Sequence, residues 1–346
     1  MSYRPALDHP GGTMRLAING LGRIGRAIVR GLHRHDDLEL VQVNDLTSPE
    51  VLAHLLVHDT VQGRWDVPVA VEGEALRIGD RLVPVSQERD PARLPWGERG
   101  VDLVLECTGR FKSRADAEAH LRAGAGRVLI SAPGKGVDAT FVYGVNHQDF
   151  DPARHRIVSN ASCTTNCLAP VAKVVHATAG IEHGTMTTVH AYTMDQNLLD
   201  GAHHKDLRRA RAAALNIVPT STGAASAIGL VIPALDGRLQ GIAVRVPVAC
   251  GSLVDLVVRT ERPTDVATIH AALQAAAAGE LRGVLETSSA PLVSSDIVGT
   301  PTSSIVDLEQ TTVIDGRLLR VIAWYDNEWG FSMRMIDLAR HLGGLS

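Results

Sequence analysis

The chain has 346 residues, 45% of them hydrophobic and 21% charged, with 32 glycines and a formal net charge of −4. That length predicts two domains with a sizeable core each. The composition excludes a disordered or fibrous chain, and the slightly acidic balance excludes an electrostatic nucleic-acid binder.

Residues 1–13 contain two prolines and Gly-Gly and read as an N-terminal extension without chemistry. The opening MSYRPALDHPGGT lacks the apolar core of a leader, and no later stretch is apolar for the length of a membrane span. The expectation is a cytoplasmic protein with neither membrane nor nucleic acid as partner. From Met14 onward RLAIN is a short apolar run, GLGRIG a turn, RAIVRGLHRH a stretch of helical period and LELVQVND a second buried-strand run. VDLVLECTG and GRVLISAPG repeat the pattern of an apolar run ending in small and turn residues, as parallel strands do when the loops at their C-terminal ends carry a ligand. After Cys163 the texture changes. TMTTVHAYT, GIAVRVPV, SLVDLVVRT and LLRVIAWYD alternate or are rich in Val and Thr, which predicts a largely antiparallel sheet, with ATIHAALQAAAAGEL as a helix between them. The boundary is expected near residues 160–162.

Gly20, Gly22 and Gly25 make G-x-G-x-x-G directly after a predicted strand and at the mouth of a predicted helix. The first glycine permits a tight turn, the second lets backbone approach a pyrophosphate, and the third allows close helix packing, while the helix start supplies aligned N–H donors. Asp45 lies twenty residues past Gly25, at the end of the second strand. A carboxylate there accepts from an adenosine ribose and repels a 2′-phosphate. The candidate cofactor residues are therefore Gly20, Gly22, Gly25 and Asp45, taken together with Asn19, Arg23 and Ile24 of the same turn, and the cofactor expected is NAD. The alternative is a surface loop in which Asp45 serves its own turn.

Four cysteines are too few for a disulfide scaffold, and no C-x-x-C or spaced histidine pair completes a zinc set, so no metal is expected. His203 and His204 read as solvated loop residues. SNASCTTNCLAPVAKVVH passes from small hydroxyl residues into a helix, with Ser162 as cap and Cys163 in the first turn. A thiol at that place has its thiolate stabilised by unpaired N–H groups, so a lowered pKa and a nucleophile are expected at Cys163, while Cys167, one turn deeper, reads as packing. His190, 27 residues on at the end of TMTTVH, is a candidate base. A core histidine satisfied by backbone is the alternative.

The turn INGLGRIG, SNASCTTNC, HAYTMDQ, KDLRRARAA, PTSTGAA, RVP and WYDNE occur in an order and with spacings that closely resemble the NAD-type phosphorylating glyceraldehyde 3-phosphate dehydrogenases, from about Met14 to about Leu342. ASCTTNC is specific to that family and to its relative, the erythrose 4-phosphate dehydrogenases. The resemblance implies an α/β fold: a Rossmann doubly wound parallel sheet over 14–161 binding NAD, and an α+β catalytic domain over 162–326 with a largely antiparallel sheet. It also implies a C-terminal segment, 327–346, returning to the NAD-binding domain, and a homotetramer.

The same resemblance makes Cys163 the nucleophile and His190 its base. It assigns Thr193, Asp195 and Arg245 to the substrate phosphate, and Ser162, Thr164, Thr222 and Gly223 to inorganic phosphate. Arg209 serves either anion, and Asn327 orients the nicotinamide amide. Read by itself, Arg245 offers a fork to phosphate oxygens, with a sheet salt bridge as the alternative, and Arg209 belongs to a basic run that is equally a solvated face or a subunit contact. The implied reaction oxidises an aldehyde through a cysteine thiohemiacetal and an acyl-thioester, which inorganic phosphate opens. The rival readings are an erythrose 4-phosphate dehydrogenase and a non-catalytic binding protein on the same fold. Three stretches depart from the family: Gly201-Ala202 where Leu-Pro is common, ACGS at 249–252 for P-N-V-S, and Trp329 with Phe331 in NEWGF.

Overall fold

The computed structural model of the protein describes residues 13–345, so all but the last residue of the expected extension lies outside the described residues. The described chain forms two compact units, 13–141 with 147–161 and 332–345, and 142–146 with 162–331.

The first unit begins with β1 (Met14–Asn19), whose apolar run is buried almost throughout, followed by α1 (Arg23–Leu32) and β2 (Leu38–Asn44). α1 buries Ala27, Ile28, Val29 and Leu32, as its helical spacing of apolar residues dictates. After α2 (Pro49–Val57), entered through Ser48 with proline in the first turn, comes a meander of β3 (Val69–Glu72), β4 (Ala75–Ile78) and β5 (Arg81–Ser86). β6 (Leu103–Glu106), α3 (Arg114–Arg122), β7 (Arg127–Ile130), β8 (Ala139–Thr140) and β9 (Ile157–Ser159) complete the unit's strands. α3 starts on a capping box between Ser113 and Asp116.

The sheet has nine strands in the order β3-β4-β5-β2-β1-β6-β7-β9-β8. β5 through β8 pair in parallel, and only the β3-β4-β5 meander is antiparallel. Strand order reverses about β1, which has β2 on one side and β6 on the other. The loops after β1 and β6 therefore flank the crevice where doubly wound sheets take ligands.

The second unit opens with α4 (Cys163–Ala179) and β10 (Ile181–Ala191), then β11 (Val218–Ser221), α5 (Ala224–Val231), β12 (Leu239–Val246) and β13 (Ser252–Thr260). α6 (Val266–Ala278), β14 (Leu285–Ser288), β15 (Ser304–Ile314) and β16 (Leu318–Tyr325) follow. Its seven strands run β11-β12-β10-β13-β16-β15-β14, antiparallel except for the pairs β10·β12 and β14·β15. α4 continues through Pro170 and packs on β13, β15 and β16 and against α5 and α6. α7 (Trp329–Leu342) begins in this unit, and from Ser332 onward belongs to the first.

Candidate active site

The glycine loop links β1 to α1. Gly20 has φ 95°, and a Cβ there would stand 2.7 Å from the Thr108 backbone nitrogen; a Cβ on Gly25 would stand 2.1 Å from Gly20 O. Both positions therefore exclude any side chain. Gly22 is different. A Cβ there would meet nothing within 4 Å, so within this chain its bareness leaves open space rather than relieving a clash. That space belongs to a cavity of about 320 Å³ lined by Gly20, Gly22, Asp45, Thr108 and Phe111 among others. Gly22 is also the N-cap of α1, where no side chain caps the helix and no acid occupies the first turn. An uncapped helix start facing open space suits an anionic pyrophosphate.

Asp45 lies on the cavity wall with its carboxylate already anchored. Oδ2 accepts from Leu21 N at 2.7 Å and Oδ1 from Thr47 N at 2.9 Å, each oxygen retaining lone pairs for ribose hydroxyls. Asn19 is spent differently from the other loop residues. Its amide donates to Glu106 Oε2 at 2.6 Å and accepts from Asn44 Nδ2 at 2.8 Å, in a buried network that continues from Glu106 to His120 and Trp96. That leaves Asn19 the role of bracing the loop. Arg23 pairs with Asp59 at 2.5 Å, and Ile24 stands beside it in the first turn of α1; neither lines the cavity. The residues present fit the adenosine and pyrophosphate parts of NAD.

In the second unit Ser162 caps α4, its hydroxyl accepting from Thr165 N at 3.1 Å and lying 2.8 Å from Thr165 Oγ1. The cap fixes Cys163 as the first helical residue. Its Sγ is 3.5 Å from His190 Nε2. His190 is 4% exposed, and its Nδ1 is 2.6 Å from Ala191 O. With the hydrogen placed on Nδ1 to donate to that carbonyl, the Nε2 lone pair faces the thiol.

The parallel register of β10 and β12 sets Arg245 beside His190. Arg245 Nη1 lies 2.7 Å from His190 Nδ1 and donates to Ala191 O at 2.9 Å, while its Nε is buried without a partner among the described residues. A half-buried guanidinium whose Nε donor is unused is poised for an anion.

Burial, reinforced by the Arg245 charge, pushes the His190 imidazole down to about 3. At neutral pH the ring is an unprotonated base. The thiol corrects the expectation of a lowered pKa. Cys163 keeps part of its surface open, yet desolvation of its sulfur pushes the thiol up, opposed by the Arg245 charge and by the N–H and hydroxyl of Thr164. Burial outweighs the helix-start effect at this sulfur.

Thr193 donates through its hydroxyl to Asp195, which pairs with Arg209. Burial works to raise the Asp195 carboxyl, but the Thr193 hydroxyl and the Arg209 and Arg245 charges outweigh it and hold it below the usual range. Arg209 also donates to Thr220 Oγ1 at 2.9 Å and lies 3.6 Å from Asp206, so this cation is shared between two carboxylates. Thr222 and Gly223 stand at the start of α5, where Thr222 Oγ1 accepts from Ala224 N at 3.2 Å. The Thr164 side chain is used otherwise than expected: it is 4% exposed and its hydroxyl meets Tyr325 Oη at 2.8 Å. Asn327 is held by its oxygen, which accepts from Gly251 N at 3.2 Å and Ser252 Oγ at 2.9 Å. The departing stretch 249–252 thus supports Asn327, and Gly251, at φ 88° and with its Cβ direction 2.2 Å from Ser294 O, admits no other residue.

The structure thus gathers Cys163, His190, Arg245 and Thr164 at the junction of α4, β10 and β12, links Thr193, Asp195 and Arg209 beside them, and collects Gly20, Gly22 and Asp45 around the cavity of the first unit. Sequence reasoning missed Tyr325, whose only signal is its place in WYDNE.

Residues 14–114 match a family model described as the NAD binding domain of glyceraldehyde 3-phosphate dehydrogenase, and residues 162–327 match the C-terminal domain of the same family. A glyceraldehyde-3-phosphate dehydrogenase of Kitasatospora aureofaciens is 60% identical over 93% of this chain and 97% of its own. One from Pseudomonas aeruginosa is 57% identical over 94% and 97%, and one from Geobacillus stearothermophilus 54% identical over 95% and 98%.

Proposed function

Because the chain belongs to the glyceraldehyde 3-phosphate dehydrogenase family, we propose that it oxidises D-glyceraldehyde 3-phosphate to 1,3-bisphosphoglycerate, the glycolytic step that consumes NAD and inorganic phosphate. The observation that carries this reading is the thiol of Cys163 at 3.5 Å from the unprotonated His190 Nε2, with the Arg245 guanidinium alongside.

Arg245, with Thr193 and Asp195 close by, receives the substrate phosphate and so sets the aldehyde carbon over Cys163. His190 takes the thiol proton as sulfur adds to that carbon, giving a thiohemiacetal whose oxygen is stabilised by the imidazolium and by backbone N–H groups at the start of α4. Bound NAD supplies the hydride acceptor. His190 keeps the proton it took from the thiol, and the carbon that has lost hydride is left as a thioester on Cys163. Inorganic phosphate, held by Ser162, Thr222, Gly223 and the Thr164 backbone, with Arg209 available to either anion, attacks the thioester carbon and releases the Cys163 thiolate with the acyl phosphate. Gly20, Gly22 and Asp45 hold the dinucleotide, with the backbone N–H groups of Arg23 and Ile24 at the start of α1 turned to its pyrophosphate; Asn19 and Gly25 keep the shape of the loop, and Asn327 meets the nicotinamide amide. Cofactor binding on 14–161, chemistry on 162–326 and a closing segment over 327–346 belong to the same reading.

A homotetramer also belongs to it. Met194, Leu198, Leu199, Leu207, Leu215 and Ile217 are each at least 70% exposed, an apolar surface of the kind that self-association covers. A cytoplasmic location accords with four free cysteines, and no helix among the described residues is long and apolar enough to cross a membrane.

The test is NADH formation from glyceraldehyde 3-phosphate with and without inorganic phosphate, beside erythrose 4-phosphate, and sedimentation of the same preparation. Phosphate-dependent turnover with the three-carbon substrate favoured is expected. A higher kcat/KM for erythrose 4-phosphate would replace the substrate while keeping the mechanism, and no turnover of either would leave a binding protein.

A further inference from the structure

Tyr325 takes no part in the steps above. It is 1% exposed at the end of β16, and its hydroxyl is 2.8 Å from Thr164 Oγ1 on α4 and 2.8 Å from Thr188 Oγ1 on β10. Thr164 directly follows Cys163. Thr188 lies two residues before His190 on one strand, so the two side chains leave the same face. The ring of Tyr325 meets that of His190 edge-on, with centroids 5.8 Å apart at 75°. One phenol therefore touches the element that carries the thiol, the element that carries the imidazole, and the imidazole itself.

The hydroxyl directions follow from counting donors. The Thr164 N–H and hydroxyl both favour the thiolate form of Cys163. A hydroxyl has one hydrogen, so when Thr164 donates to the thiolate it accepts from Tyr325, and Tyr325 in turn accepts from Thr188. The chain Thr188 to Tyr325 to Thr164 to Cys163 uses each hydroxyl once as donor, and its polarity points every hydrogen toward the sulfur. Such chains strengthen their terminal hydrogen bond, and that bond grows strongest when the sulfur is a thiolate.

We propose that Tyr325 is a positioning residue for the reaction: it fixes the spacing of α4 and β10, and hence of Cys163 and His190, and it aims the Thr164 hydroxyl at the attacking and leaving thiolate. The inference rests on the reading of Cys163 as nucleophile. The other titratable or charged groups facing the sulfur are His190 from β10, Arg245 from β12 and Cys167 from α4 itself. None of them replaces a hydroxyl donor.

The test uses the full chain with Tyr325→Phe, which keeps the ring, together with Thr188→Val, Thr188→Ser and Cys163→Ser. Two quantities are read: the pH midpoint of Cys163 alkylation by iodoacetamide without substrate, and kcat and KM for glyceraldehyde 3-phosphate. Tyr325→Phe should move the midpoint up by roughly one pH unit and lower kcat about tenfold, with KM changed less than about twofold. Thr188→Val should do the same in smaller measure, and Thr188→Ser, which restores the hydroxyl, should return both quantities to those of the unaltered chain. A midpoint and kcat unmoved in Tyr325→Phe overturn the proposal, as does a Thr188→Ser no better than Thr188→Val. Should Tyr325→Phe not fold, the Thr188 pair decides by the same criterion. An inactive Cys163→Ser beside an unaffected Tyr325→Phe sinks this inference alone, whereas an active Cys163→Ser sinks the catalytic reading beneath it.

Discussion

Replacing Arg245 with alanine separates two roles that the structure gives one guanidinium. Nη1 lies 2.7 Å from His190 Nδ1, and the buried Nε has no partner among the described residues. If that unused donor binds the substrate phosphate, the variant loses a hydrogen bond to a charged group, worth about 1.5–3 kcal/mol, and kcat/KM falls roughly ten- to a hundredfold. The change also removes a positive charge beside the imidazole. Burial is the larger cause of the depressed His190 pKa and remains, so the value rises from about 3 but stays below its ordinary range. The base is then protonated only at acid pH, and the acid limb of the rate profile moves up. At pH 8 this second effect is silent. Initial rates there with glyceraldehyde 3-phosphate and with unphosphorylated glyceraldehyde isolate the first: the loss should appear with the phosphorylated aldehyde and shrink to less than about threefold without the phosphate. An equal loss on both would refute the phosphate role and leave Arg245 as a brace for Ala191 and the imidazole.

Iodoacetamide near neutral pH should label Cys163 before the other three cysteines, because burial pushes Cys167 up to about 12 and raises Cys107 and Cys250 without an Arg245 to oppose it; peptide mapping that found another thiol first would overturn the assignment. Asp45→Ala should narrow the preference for NAD over NADP by removing both the repulsion of a 2′-phosphate and the ribose acceptor, which kcat/KM for the two cofactors measures; equal efficiencies in the unaltered chain would move attention to Gly201 and Ala202. His190→Asn should flatten acid destabilisation. Between pH 6.5 and 3 the unfolded chain protonates this imidazole and the folded chain does not, so its contribution to stability falls as pH falls, by about 1.4 kcal/mol per unit within that window. Urea unfolding at pH 6 and pH 5 should show the unaltered chain losing roughly that much more than the variant, and equal losses would mean the imidazole is protonated in the folded state.

What the sequence made legible was local. The apolar runs of β1, β2, β6 and β7, the glycine turn after β1, and the hydroxyl cap before Cys163 all announce themselves within a few residues. Strand pairing does not. β10 and β12 alternate in the manner of antiparallel strands, yet they pair in parallel, and only that register puts Arg245 beside His190. The thiol expectation failed for a related reason: the helix start can be read from SNASC, but desolvation depends on what the rest of the unit packs around the sulfur. Thr164 illustrates the same limit, since a hydroxyl next to a nucleophile reads as an anion ligand until a tyrosine 161 positions away claims it. Asn19 likewise reads as part of a cofactor loop, while its amide is committed to Glu106 and Asn44.

An early and a late element meet in the first unit, where Gly31 of α1 receives α7 so closely that a Cβ would stand 2.5 Å from the Met333 side chain and 2.6 Å from that of Ile336. During synthesis this places the two units in reverse order of completion. The second unit is assembled from 142–146 and the continuous stretch 162–331, all of which has been translated when residue 331 is added. The first unit, though it holds the earliest strands, cannot bury the face of α1 around Gly31 until 332–345 have left the ribosome. Until then α1 lacks that cover, which makes the interval between the synthesis of residue 331 and the docking of 332–345 the period when this chain most depends on being shielded from its neighbours.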